Sequence, residues 1–245
     1  MDTSHFYAQV PPPTDEEIKQ VLDHVNHFRK NKDFETAERL VREGIKYLKQ
    51  FNNINNNSHF TVYLAKILFE QKKYAEAEPV CREALILLEM RYGLFRAHYE
   101  ILSPGAYNDD VVSKYILNSM NMYALVLNEV GKFDEAEHLF REILKIKEHI
   151  FKPKQSGAIN ESTLRSIVRL ACMLHNRKKY YEAADYLQSA FRWMRKMYGT
   201  CDKETMQINN YLCDSLRKLE RFEDVDYWFD QGSPNEEIPM FPFRN

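Results

Sequence analysis

Five stretches of this chain follow one pattern, and an internal repeat of that kind leaves few folds open. DFETAERLVREGI begins at Asp33, KYAEAEPVCREAL at Lys73, KFDEAEHLFREIL at Lys132, KYYEAADYLQSAF at Lys179, and a looser RFEDVDYWF at Arg221. Each carries an aromatic residue as its anchor, Phe34, Tyr74, Phe133, Tyr180 and Phe222, at intervals of 40, 59, 47 and 42 residues. Three residues after each anchor stands a compact side chain: Ala37, Ala77, Ala136, Ala183 and Val225. Small residues there let two helices approach closely.

Ahead of the third anchor runs LNSMNMYALVLNEV, whose Leu117, Met120, Ala124 and Leu127 recur at helical spacing. Each unit is therefore a helix pair. Such a pair cannot bury its apolar stripe alone and stacks on its neighbours, which predicts an all-α chain, an α-solenoid of about five helix pairs. Only 7 glycines in 245 residues argue against a strand-rich or glycine-loop fold. Thr14 with Glu17 reads as a capping box; Gly93 and Gly199, each nineteen residues after its anchor, read as helix ends. Pro79 falls inside an expected helix but near its start, where one lost hydrogen bond is a limited cost.

The layout predicted is a disordered arm over residues 1–14, one solenoid domain over 15–230, and a flexible tail over 231–245. Its units fall near 18–52, 58–93, 116–151, 163–199 and 205–230, with an insert over 94–115. The insert holds SPGAYNDD, Ser103 to Asp110, whose Pro-Gly breaks a helix; it reads as an elongated helix and a loop, with a lid or partner site as the alternative. FNNINNNSHF, Phe51 to Phe60, reads as a connecting loop. The tail EEIPMFPFRN, Glu236 to Asn245, reads as disordered, with docking on a groove as the alternative.

A formal net charge of -2 gives no general attraction to nucleic acid or anionic membrane. The short basic clusters at Lys30 and Arg177 lack interleaved stacking aromatics and read as answers to helix C-terminal dipoles. No basic leader and no run of eighteen apolar residues occurs, so a cytoplasmic home is expected, with the nucleus left open. Cys81, Cys172, Cys201 and Cys213 form no paired motif and read as small hydrophobes in a reducing compartment. None of the metalloprotease, P-loop, dinucleotide or nucleophile-elbow motifs is present. His24 with His27, and Cys172 with His175, have metal-compatible spacing but no matching second pair, so neither a cofactor nor an enzyme is predicted.

Beside the apolar stripe, the first helix of each later unit carries a polar one. In the third unit it is Asn118, Asn121, Leu125 and Asn128; in the fourth Arg165, Arg169, Cys172 and Asn176; in the fifth Gln207, Asn210, Asp214 and Arg217. Arg165 and Arg169 are like charges four apart, which costs a helix about 0.2 to 0.5 kcal/mol and suggests recognition rather than folding.

YAEAEPVCREAL and FDEAEHLFREIL resemble tetratricopeptide repeats, in particular the long repeats of kinesin light chains, over roughly residues 18 to 230. Asn118 to Leu125 resembles their Asn-rich first helix. The resemblance implies a right-handed superhelix with a concave groove, where asparagines hold an extended peptide backbone and cations pair with acidic groups. Arg165 and Arg169 match basic positions of the carboxylate-clamp subgroup, while Val62 and Lys66 stand where its first-helix Lys and Asn would be. The chain lacks the heptad segment through which light chains join the motor. The groove residues implied are Lys66, Asn118, Asn121, Asn128, Arg165, Arg169, Asn176, Asn210 and Arg217. The function so implied is a non-enzymatic adaptor binding a short acidic or acidic-aromatic peptide, with no nucleic-acid or membrane partner. The alternative is a scaffold subunit or homo-oligomer docking through its convex face, insert or tail.

Overall fold

The aromatic anchors of the repeat mark helix starts. In the computed structural model, which describes residues 12–51, 53–92, 110–150 and 161–231, each anchor is the first residue of a helix. Among the described residues the helices are α1 (Asp15–Lys30), α2 (Phe34–Lys49), α3 (Ile54–Glu70), α4 (Tyr74–Tyr92), α5 (Asp110–Glu129), α6 (Phe133–Ile150), α7 (Glu161–Asn176), α8 (Tyr180–Tyr198), α9 (Lys203–Lys218) and α10 (Phe222–Gln231). They fall into two compact units, one ending at Lys132 and one beginning at Phe133. In the first, each of α1 to α5 packs on the next and α3 also touches α1 and α5. In the second, α6 to α10 pack in the same serial way and α7 also touches α9.

One turn geometry recurs. Two residues before each anchor the backbone enters the left-handed region, with φ of 64° at Lys32, 62° at Lys72, 84° at Gly131, 61° at Lys178 and 59° at Glu220. The next residue donates five positions back, as Lys73 N does to the Leu68 carbonyl at 2.9 Å and Lys179 N to the Leu174 carbonyl at 2.9 Å. These bonds close the exposed end of one helix and aim the chain into the next. Glycine is the natural occupant, and a lysine held there costs about 1 kcal/mol.

The compact residues do the packing that their position implies. Ala37, Ala77, Ala136 and Ala183 are fully buried, and Val225 nearly so. Leu117, Met120, Ala124 and Leu127 are buried as their spacing predicts. The anchors are less uniform: Phe133 and Phe222 are 45% and 61% exposed. At the start of α1, Thr14 Oγ1 accepts from the Glu17 amide at 3.3 Å while Glu17 accepts from Thr14 N at 2.8 Å, the reciprocal cap the sequence implies. Gly199 ends α8 at φ 85°. Pro79 is the sixth residue of α4 and lies exposed in a helix that continues through it.

A ladder of charges runs beside this packing. The glutamate after the buried alanine binds the arginine one turn on and the lysine just before the next anchor. Glu38 pairs with Arg42 at 2.7 Å and Lys73 at 3.0 Å; Glu78 with Arg82 at 2.8 Å and Lys132 at 2.7 Å; Glu137 with Arg141 at 2.9 Å and Lys179 at 2.9 Å. Arg177 adds a bond to Glu137 at 2.6 Å and one to Asp134 at 2.7 Å. The basic cluster at Arg177 thus serves carboxylates inside its own unit rather than only a helix dipole.

Two further expectations change. FNNINNNSHF is not a loop: α3 begins at Ile54, because Asn53 caps it by accepting from the Asn56 amide at 3.1 Å and because Asn57, Ser58 and Phe60 are buried. Helix α5 begins at Asp110, inside the stretch assigned to the insert. Residues 1–11, 93–109 and 232–245, with Gly93, most of SPGAYNDD and the EEIPMFPFRN tail, lie outside the described residues.

Gly44 tests the close approach directly. A Cβ there would stand 2.2 Å from Cε1 of the buried Phe60 ring. Helix propensity alone favours Gly44→Ala by about 1 kcal/mol. The steric conflict should reverse that sign, so Gly44→Ala is expected to lower unfolding free energy by about 1 to 3 kcal/mol in urea titrations.

Candidate functional site

In the second unit α7, the C-terminal half of α8 and α9 enclose a cleft of about 280 Å³. Helical spacing selects what faces it: Leu164, Arg165, Val168, Arg169 and Cys172 from α7, then Gln207, Ile208 and Tyr211 from α9. Met194 and Tyr198 of α8 close one side, and Glu161 and Glu204 stand among the lining residues. The cleft therefore combines two guanidinium groups with two phenol rings and an aliphatic wall.

Arg165 bonds Glu161 one turn earlier at 2.8 Å, and both side chains are more than half exposed. That pairing corrects the inference that folding gives no reason for Arg165: Glu161 supplies one. Hydrogen bonding to Glu161 also raises the Arg165 pKa. Arg169 is half-buried, and burial, followed by repulsion from Arg165, pulls its pKa down. Burial pushes the Cys172 thiol up to about 11, so it is a packing residue and not a nucleophile at neutral pH.

The other implied groove residues are distributed differently. Asn176, Asn210 and Arg217 are exposed on the second unit but do not line this cleft. In the first unit Asn118 is exposed and Asn128 half-buried, whereas Asn121 is buried and donates to the Leu117 carbonyl of its own helix at 2.7 Å. Lys66 is half-buried on α3, and burial, then the Arg29 charge, lowers its pKa. Arg29 itself bonds Glu70 at 2.6 Å and Asn26 at 2.7 Å. His175 is held by Ser215 at 2.8 Å through Nδ1 and lies edge-on to Tyr180 and Tyr211, so it belongs to the joint between α7 and α9. Among the described residues no three His, Cys, Asp or Glu side chains converge to hold a metal ion, and no helix is long and apolar enough to cross a membrane.

A tetratricopeptide-repeat family model matches residues 62–100, 116–155 and 163–200. Over these residues the chain consists of tetratricopeptide repeats. Repeats of this type are protein–protein interaction modules. Among solved structures, a Podosopora anserina protein of kinesin-light-chain type with nearly identical TPR-like repeats is 13% identical, with 90% of this chain and 95% of that one covered and a TM-score of 0.66. BtubC from P. vanneervenii is 14% identical, with 94% and 88% covered and a TM-score of 0.66. PlcR of Bacillus thuringiensis, determined with the peptide PapR7 and DNA, is 19% identical, with 91% and 73% covered and a TM-score of 0.51. These likenesses are of fold. No curated protein sequence matches significantly.

The register of these tetratricopeptide repeats exposes one residue that the stripes miss. Fourteen positions after the anchor, other units carry Leu48, Leu88 and Met194, all buried; here the residue is Lys147, only 4% exposed. Its ammonium donates to the Ser162 carbonyl at 2.8 Å and the Ser162 hydroxyl at 2.7 Å, and meets no carboxylate among the described residues. Burial, then the Arg169 charge, pushes its pKa down to about 8. Aligning the units on their anchors is the signal that would have found it.

Because the folded lysine releases its proton at about 8 and an unfolded one near 10.4, the unfolded chain holds the extra proton between those values. Stability should therefore rise with pH across that window. Lys147→Leu should remove the rise and, at pH 7, increase unfolding free energy by about 1 to 3 kcal/mol, as urea titrations at pH 7 to 10 would reveal.

Proposed function

We propose that this chain is a non-enzymatic adaptor that holds a short segment of a partner protein in the α7–α8–α9 cleft. The ligand class is an acidic peptide with an aromatic residue nearby. The observation that carries this reading is the juxtaposition of Arg165 and Arg169 with Tyr198, Tyr211 and Met194 around one cleft. A guanidinium binds a carboxylate through paired N–H donors, and the half-burial of Arg169 strengthens such a bond by excluding water. Phenol rings give an aromatic side chain a surface to stack on. A cleft of about 280 Å³ suits a few side chains rather than a folded domain. PlcR, which shares the fold, has a peptide in its complex, which supports a peptide as the kind of ligand.

A second reading rests on α10, where Phe222, Tyr227 and Phe229 are exposed on the last helix of the described stack. Solenoid ends generally carry a polar cap, so this end could seat against another subunit. Phe229→Ser with Tyr227→Ser would then change the sedimentation of the protein, while a pure peptide adaptor would sediment as before.

The principal reading is tested with an array of octapeptides in which an aromatic residue is paired with glutamate or with glutamine. The wild-type protein should select glutamate members. The double variant Arg165→Glu, Arg169→Glu should keep its thermal midpoint within a few degrees and lose that selection by at least about tenfold, a change of about 1.4 kcal/mol. Retained selection in a folded double variant would overturn the assignment of the cleft.

A further inference from the structure

Lys147 occupies a position that three other units fill with buried Leu48, Leu88 or Met194, and it is 4% exposed. A charged group in such a slot is normally paired, because an isolated ammonium in a low-dielectric interior is costly. Among the described residues it meets no acid. Its bonds go to the backbone carbonyl and hydroxyl of Ser162, in the first turn of α7. That end of a helix already carries positive partial charge, so the location is unfavourable twice over.

The location is adjacent to the cleft. Ser162 follows Glu161 and precedes Arg165 by three residues, and both of those line the cleft. On α7 the charge that acts on the ammonium is that of Arg169; one turn earlier Glu161 is held by Arg165. On α6 itself, Lys145 and Glu148 are exposed. A buried cation beside a half-buried arginine makes the α7 side of the cleft a place where an anion relieves repulsion and an uncharged group does not.

We propose that Lys147 sets the charge preference of the cleft: held against Ser162, its buried ammonium keeps the Arg169 end positive and makes a ligand carboxylate the favoured occupant over a neutral amide. This rests on the peptide-binding reading above and deepens it. Lys147 is a positioning residue, acting through the field it imposes rather than through contact with the peptide. The protonated form of Lys147 favours the bound carboxylate, and the bound carboxylate favours the protonated form; the coupling is reciprocal. Affinity for an acidic peptide must therefore fall as Lys147 loses its proton above about pH 8. Over the same range Cys172, held near 11, and Tyr198, raised above the ordinary tyrosine value, stay largely uncharged.

The test uses the full chain and two fluorescein-labelled octapeptides, one with glutamates flanking a tryptophan and one with glutamines in their place, followed by anisotropy from pH 7 to 9.5. Wild type should bind the glutamate peptide about tenfold more weakly at pH 9.5 than at pH 7, with the glutamine peptide nearly flat. Lys147→Leu should weaken glutamate-peptide binding at pH 7 by about tenfold, leave the glutamine peptide unaffected and abolish the pH dependence. Lys147→Arg, which keeps a charge that does not titrate in this range, should restore affinity at pH 7 and hold it to pH 9.5. If Lys147→Leu selects and titrates like wild type while Arg165→Glu, Arg169→Glu loses binding, the role of Lys147 is wrong and the cleft assignment stands. If wild type binds neither peptide, the cleft assignment itself fails and takes this inference with it.

Discussion

A helix must be closed within a few residues before the next can begin, and at five places in the described structure the closing turn uses one backbone state. A left-handed residue two positions before the anchor lets the following amide close the previous helix five residues back. Only Gly131 among the five is the residue that this conformation prefers; Lys32, Lys72, Lys178 and Glu220 carry its strain. The strain is tolerable because the contacts made immediately afterwards over-determine the geometry. Three residues past each anchor a buried alanine or valine brings the second helix against its neighbours, and Gly44 meets the Phe60 ring where a side chain would not fit. Turn and close contact therefore act together.

The charge ladder explains why the left-handed turns are flanked by lysine. Lys73, Lys132 and Lys179 stand where a helix cap would ordinarily be Ser, Asp or Asn; Lys179 makes no side-chain cap bond, and each instead reaches a glutamate of the preceding repeat. Burial opposes the charge on Glu137, but Lys179 and Arg141 outweigh it and hold its carboxyl below the ordinary range; Glu38 is held down in the same way by Arg42, Lys73 and Gln71. Their contribution is present above the ordinary carboxylate range and is lost in acid, as pH falls through the depressed values. The ladder stops in the fourth repeat, where Ala184 and Gln188 replace the glutamate and arginine and Arg221 turns to Asp224 of its own helix at 2.7 Å.

The helix pairs were legible in the sequence because period and packing agree: the anchors, the alanines and the stripe from Leu117 to Leu127 all fall where the repeat puts them. What escaped was set by tertiary context. The asparagine run after Phe51 has loop composition, yet the Asn53 cap and the burial of Asn57, Ser58 and Phe60 make it helix α3. At the cleft, Arg165, Arg169, Cys172 and Gln207 were legible as a polar stripe on first helices. Tyr198, Met194, Ile208 and Tyr211 were not, since they come from a second helix or from the apolar edge of the stripe and no single helical period joins them. Asn121 shows the converse: its spacing matches the stripe, but a short polar side chain on a buried face turns back to bond its own backbone.

Lys147 shows how a repeat protein separates folding from recognition. Where the same slot holds Leu48 or Leu88 the residue is buried apolar packing, and Met194 in the fourth unit is buried as well as part of the cleft wall. A leucine there would avoid the desolvation of an ammonium and the repulsion from Arg169 that together lower the Lys147 pKa. The departure falls beside the helix turn that presents Glu161 and Arg165 to the cleft. A repeat position that departs from its counterparts beside a cleft is the pattern expected of a residue kept for binding, since its cost would be borne by the free protein and relieved by a bound anion. The repeat supplies the scaffold, and its exceptions locate the chemistry.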